Sequence, residues 1–285
     1  MPTTALSFAP FDALAETYDR TFTDTAIGRA QRRAVWRELA RVFHPGEYVL
    51  EIGCGTGVDA CYLAGRGVRV LACDSSPRMI AMTSRRVEAD NQSALVTPYL
   101  LPAEQIRSLG NREPFHGAFS NFGALNCVDD LFSLARDLGK LLKRGSNAVL
   151  CLMGRYCAWE IAWYLAQGNA RKAMRRFHPA GLTVSLTDSA KVHVRYPSVR
   201  WLARTFSPEF RLRHVRGIGI AVPPSYLEHL ASRYPSWLHA MAKADSFLEH
   251  CPGVRAAADH IVLTFERVDE QMELSSGKQP ARVYL

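Results

Sequence analysis

An acid and three glycines alternate in VLEIGCGTGVD, residues 49–59: Glu51, Gly53, Gly55 and Gly57 form an acid-x-Gly-x-Gly-x-Gly series. Glycines so placed let a backbone turn sharply and approach a ligand where a side chain would collide. Two familiar uses of such a loop fail on their residues. A dinucleotide fingerprint needs a third glycine where Val58 stands, and a phosphate loop ends in Gly-Lys-Ser/Thr, which is absent. A second acid, Asp74, closes the next apolar run, well placed to accept hydrogen bonds from two ribose hydroxyls. Glu51, directly or through a water, favours a positive group and opposes a phosphate. The residues describe a ligand with a ribose and a cationic centre.

Such a ligand needs a strand-to-helix turn to hold it. Tyr48–Ile52 reads as a strand that passes through the glycines into a helix near 58–65. VRVLAC (68–73) reads as a buried strand, and Ser76 with Pro77 as the N-cap and first position of a helix running to about Ala89. A weaker strand at 94–100, interrupted by Pro98, a strand at 117–122, a helix at 129–142 and a strand at 147–153 continue the alternation. Upstream, Ile27, Ala30, Ala34, Val35, Leu39 and Val42 recur at helical spacing. The alternation predicts an α/β fold, a doubly wound, mostly parallel sheet covered on both faces. In such sheets ligands bind outside the carboxyl ends of the strands.

Past residue 153 the pattern changes. A helix is expected over 156–177, a hairpin from 181–186 and 191–196, and a short helix over 196–206. A strand at 210–222, a helical stretch at 223–250 and a last strand at 260–267 follow. The expected organisation is residues 1–44 closing the ligand site, 45–153 as the binding core, 154–206 as a lid, 207–267 as returning strands with a helical insertion, and 268–285 as a flexible polar tail.

The chain has 285 residues, 48% of them apolar and 22% charged, enough to bury a full core. No apolar run approaches the roughly 18 residues of a membrane span. The N-terminus lacks the basic start of a signal peptide, and the seven cysteines form no CxxC pair. These features predict a cytoplasmic protein with reduced thiols. The net charge of +8 is partly local, with four basic residues in RKAMRRFHP, 171–179. That stretch suits an anionic substrate, an acidic carrier protein or a lipid head group, and equally a solvated helix face. No nucleic-acid motif is present.

S-adenosylmethionine has the ribose and the positive charge. VLEIGCGTG, LACDSSPRMIAMTSRR and FHGAFSNFGALNCVDD resemble the successive motifs of class I S-adenosylmethionine-dependent methyltransferases. FDALAETYDRTF resembles the opening helix of their small-molecule branch, and DHIVLTFER their last strand. The resemblance implies a seven-stranded Rossmann-like sheet with S-adenosylmethionine at the glycine loop. Glu51, Gly53, Cys54 and Gly55 would line its methionine and ribose, Asp74 would hold the ribose, and Ser75 and Met79 would flank the adenosine. Ala103 and Glu104 would border adenine, although Pro102 stands where the family often has an Asp that recognises the adenine amine. Asn121 and Phe122 would meet the methionine amine, and Tyr18 would close over the cofactor or the substrate.

Methyl transfer from a sulfonium is an in-line displacement with an excellent leaving group, so placement supplies much of the catalysis. A base is needed only when the acceptor must lose a proton. Asn126, Tyr156 and Tyr18 are the candidate catalytic residues. Asn126 is equally a helix cap, and Tyr18 an aromatic anchor. Arg155 is the candidate for an acceptor carboxylate or phosphate, or a partner for Glu160, and Trp159 is the candidate apolar contact. His178 and His260 are alternative bases, with a structural role favoured for His260. No metal is expected. The activity expected is methyl transfer to a small-molecule or carrier-bound acceptor. The alternatives are cyclisation of the aminobutyrate arm of S-adenosylmethionine and a non-catalytic partner subunit.

Overall fold

The computed structural model describes residues 9–188 and 190–268. The rest of the expected N-terminal segment, and 269–285 of the expected tail, lie outside the described residues. Strands β1 (Tyr48–Ile52), β2 (Arg69–Asp74), β3 (Val96–Leu100), β4 (Phe115–Ser120) and β5 (Leu142–Met153) alternate with helices α2 (Val58–Ala64), α3 (Pro77–Ala89) and α4 (Leu131–Leu141). Helix α1 (Ala26–Val42) precedes them. Later come α5 (Ala158–Ala166), α6 (Ala170–Ala173), a hairpin of β6 (Leu182–Ser185) and β7 (Lys191–Val194), α7 (Val199–Phe206), β8 (Phe210–Ile218), α8 (Glu228–Arg233), α9 (Pro235–Leu248) and β9 (His260–Arg267).

The sheet has seven strands in the order β3-β2-β1-β4-β5-β9-β8. β1 to β5 pair in parallel, and β9 runs antiparallel between β5 and β8. Fold class and mostly parallel pairing match the sequence pattern. Alternation along β1 sends Leu50 and Ile52 to a core shared with α4 and α7, and Val49 to the core beneath α1 and α2. The chain winds outward from β1 to β3 and then crosses back to β4. That reversal opens a crevice between the carboxyl ends of β1 and β4, where such folds bind ligands.

Local chemistry sets the helix starts. Ser76 accepts from the Met79 amide at 3.0 Å ahead of Pro77, and Asp130 caps α4 by accepting from Ser133 N at 2.9 Å. The expected long helix over 156–177 is broken. Gly168, at φ +70°, follows α5, and Asn169 caps α6 through the Lys172 amide. The stretch 223–250 is likewise split, between Tyr234 and the Pro235 that opens α9. The opening segment forms a 3₁₀ turn at Pro10–Leu14 and a π turn at Asp19–Thr23.

A buried ion network joins the rim insertion to the sheet. The Arg176 guanidinium donates to Glu160 Oε2 at 2.9 Å, Asp259 Oδ1 at 2.7 Å, and the carbonyls of Gly154 and Asp259, both at 3.0 Å. Glu160 also accepts two bonds from Arg175, at 2.7 and 2.8 Å. Burial alone would raise the Asp259 carboxyl, but His260 and Arg176 hold it well below the usual carboxylate range. Arg175 and Arg176, half of the basic cluster, thus pair with Glu160. Removing one member leaves buried charge uncompensated. Arg176→Met is expected to destabilise the fold by about 3–5 kcal/mol in urea titrations, whereas substitution of the exposed Arg171 changes stability by less than about 0.5 kcal/mol.

Candidate functional site

The glycine loop owes its path to backbone angles that side chains disfavour. Gly53, Gly55 and Gly57 sit at φ +73°, +55° and +78°. A Cβ on Gly53 would come within 2.4 Å of Ala124, whereas one on Gly55 would meet nothing and point into open space. The loop is pinned to β2: Gly53 N and Cys54 N both donate to the Cys73 carbonyl, at 2.8 and 2.9 Å. Asp74 accepts from Gly55 N and Ser76 N, both at 2.9 Å. Burial raises its carboxyl above the ordinary value, and those amide bonds oppose the rise. Across the crevice, Phe122 holds φ +50° and Gly123 φ +85°, a strained turn after β4.

These parts surround a cavity of about 380 Å³. Tyr18, Gly53, Gly55, Asp74, Ser75, Met79, Ala103, Glu104, Asn121 and Phe122 all line it. Cys54 lines a small adjoining pocket with Arg32, Asp59 and Asn121. There Arg32 Nη1 reaches Asp59 at 2.7 Å, and Asp59 also accepts from Trp36 Nε1 at 2.6 Å and Asn121 Nδ2 at 2.9 Å. The Arg32 guanidinium lies 4.6 Å from the Phe122 ring centre. Arg32 Nε, Asn121 Oδ1 and Glu51 Oε2 are buried without a hydrogen-bond partner. Burial, with Arg32 opposing it, pushes the Tyr18 hydroxyl up to about 12.

The other wall comes from the hairpin. Val184 and Val192 are paired across it, and Leu182 pairs with Val194. Val184, Leu186, Val192 and Val194 line the cavity with Leu125, Val128, Met153, Tyr196 and Arg175. No group of three or more His, Cys, Asp or Glu among the described residues is placed to hold a metal ion. No described helix is long and apolar enough to cross a membrane.

A family model described as a methyltransferase domain matches residues 49–145. Over those residues the chain is similar to a methyltransferase domain. A demethylmenaquinone methyltransferase of Clavibacter sepedonicus is 32% identical over 145 residues, covering 50% of this chain and 56% of the relative. The chain thus spans about half the length of the curated relatives it matches. The CcbJ methyltransferase of Streptomyces caelestis shares the fold with a TM-score of 0.61 at 17% identity, covering 92% of this chain and 99% of that one. The [4+2]-cyclase SpnF shares it with a TM-score of 0.51 at 14% identity, covering 90% and 80%.

Five expected site residues stand elsewhere. Glu51 lies behind the loop, 1% exposed, and does not line the cavity. Asn126 is fully engaged: Nδ2 donates to Arg195 O at 2.6 Å and to Met153 O at 3.3 Å, and Oδ1 accepts from Met153 N at 2.8 Å. Its side chain ties the turn after β4 to β5 and the hairpin. Tyr156 is 45% exposed and packs edge-on against Phe177. Arg155 does not line the cavity, and Glu160 is paired with Arg175 and Arg176 instead. Trp159 donates to Ala221 O at 3.1 Å and packs against Trp237 in the core below α8 and α9. His260 is buried against Phe122 with Nδ1 3.4 Å from Asp259. His116 lies inside β4 and accepts from Tyr48 N through Nδ1.

Sequence reasoning missed Arg32 and the hairpin wall. The signal for Arg32 was a charged residue beside the apolar stripe of α1, and for the wall the period-two apolar residues of the hairpin. For Asn126, a side chain that holds backbone and faces no cavity, Asn126→Ala is expected to cost about 2–3 kcal/mol of stability. Proteolysis at the hairpin should rise, while the affinity for S-adenosylhomocysteine, read by calorimetry, should change less than about threefold.

Proposed function

We propose that the protein transfers a methyl group from S-adenosylmethionine to a small-molecule acceptor held beneath the β6–β7 hairpin. The observation that carries this reading is the pair of buried, unpartnered groups in the small pocket: Arg32 Nε, a donor, and Asn121 Oδ1, an acceptor. A zwitterionic amino-acid group would satisfy both, its carboxylate at Arg32 and its ammonium at Asn121. Asp74 then receives the ribose, the open face of Gly55 lies against the ligand, and Met79, Leu101, Ala103 and Glu104 surround the base. Tyr18 covers the junction of the two pockets.

When bound, S-adenosylmethionine supplies an electrophilic methyl with a neutral thioether as leaving group. The chain's own task is to hold the acceptor in line with that methyl and to exclude water. The apolar hairpin, Leu125, Val128 and Met153 provide the walls. Glu51 acts from behind the loop as a charge reservoir. Burial first, then Asp59 and Asp74, hold its carboxyl well above the ordinary range, with Arg32 opposing.

Mass spectrometry of protein incubated with S-adenosylmethionine and a metabolite extract should give S-adenosylhomocysteine and a product heavier by one methylene. Methylthioadenosine instead would mark attack on the aminobutyrate arm. Binding without any turnover would favour a partner subunit. Asp74→Ala should weaken cofactor binding by at least about tenfold through loss of a charged hydrogen-bond acceptor. A cation near Glu51 lowers its raised pKa and so releases a proton. Affinity for S-adenosylmethionine should therefore rise as the pH increases above the ordinary carboxylate range, and Glu51→Gln should flatten that rise.

A further inference from the structure

Among the described residues that line the cavity, Arg175 is the one Lys or Arg. Its surroundings on the hairpin wall are apolar: Val184, Leu186, Val192 and Val194. Its side chain is 33% exposed, and the hydrocarbon beside it offers no hydrogen bond, so its free donors face water and the cavity. Glu160 engages one edge only, accepting from Nε and Nη2. It is also shared, since Glu160 Oε2 accepts from Arg176 Nε at 3.2 Å and Nη2 at 2.9 Å. Among the described residues, Arg175 Nη1 has no hydrogen-bond partner. Its neighbour Arg176 differs, because every edge of that guanidinium is bonded within the seam.

Tyr196 lines the same cavity and is 9% exposed. It lies close enough to Arg175 for each to influence the other's ionisation. Burial raises the Tyr196 hydroxyl above its usual value, against the pull of Arg176 and Arg175, so it stays protonated as a donor. Two donors, one permanently charged, thus share a wall whose other members are hydrocarbon. Arg155, the arginine that sequence reasoning assigned to an acceptor anion, does not line the cavity, and Arg175 does.

We propose that Arg175 and Tyr196 form an oxyanion subsite that selects acceptors joining an apolar, ring-sized body to an anionic oxygen, a carboxylate or an acidic phenolate. The free Nη1 hydrogens of Arg175 and the Tyr196 hydroxyl take the oxygen anion, and the four hairpin residues take the body. The subsite binds and orients; it performs no covalent step. This inference rests on the methyltransferase reading, because it takes the hairpin end of the cavity as the acceptor's place.

The test is calorimetry on the full chain saturated with S-adenosylhomocysteine, using 1-naphthoate and its neutral isostere 1-naphthamide as probes. The wild type should bind naphthoate at least about tenfold more tightly than the amide, as expected for a charge-assisted bond in an apolar setting. Arg175→Gln should erase that preference, and Tyr196→Phe, which keeps the ring, should reduce it about threefold. Both variants should retain wild-type affinity for S-adenosylhomocysteine, a readout that also proves them folded. Equal binding of the two probes by the wild type, or a preference that survives Arg175→Gln, overturns the inference alone. Failure of the wild type to bind S-adenosylhomocysteine overturns the methyltransferase reading and this inference with it.

Discussion

The structure depends on a short stretch of left-handed backbone. Gly53, Gly55 and Gly57 turn the chain after β1 so that peptide groups, rather than side chains, face the crevice. The Asp74 carboxylate fixes this turn by accepting from Gly55 N and Ser76 N. One acid at the end of β2 thereby joins the loop to the start of α3. It is also the acid proposed to receive the ribose, so the same group shapes the site and reads the ligand. Burial raises its pKa, and the backbone amide donors, which favour the charged form, oppose that rise.

A second constraint governs what lies opposite the loop. The hairpin is too short to hold its place by its own pairing. Asn126 binds its exit at Arg195, and Arg175, from the turn at 175–177, lines the same cavity. Arg176, Glu160 and Asp259 anchor that turn to the sheet. The charged seam outside the cavity therefore sets where Arg175 and the valines stand inside it. The hairpin lies outside residues 49–145, the stretch that the family model matches.

Much of the binding core was legible in the sequence because its signals are local. Glycine spacing, the acid after β2, the Ser76–Pro77 helix start and the apolar runs each report on a few neighbouring residues. The expected lining residues beyond the glycines and Asp74, from Ser75 to Phe122, came from the family resemblance. The acceptor side was not legible, since its geometry depends on contacts remote in sequence. Arg175 and Arg155 differ little as letters. Only Glu160 and the hairpin decide that Arg175 lines the cavity. Asn126 looked catalytic by position, yet three backbone partners engage its side chain. Trp159 had the right composition for a substrate contact, but the helices α8 and α9 that bury it lie about seventy residues further on.

The central claim is that the glycine loop is the S-adenosylmethionine site. Isothermal titration of the purified chain with S-adenosylhomocysteine tests it most directly, with Gly55→Ala as comparison. Gly55 has open space where a Cβ would stand, so the added methyl intrudes on the ligand and also strains the left-handed turn at φ +55°. The account predicts one saturable site in the wild type and at least about tenfold weaker binding in Gly55→Ala. A wild-type titration without binding, or a variant that binds as tightly as the wild type, would contradict it.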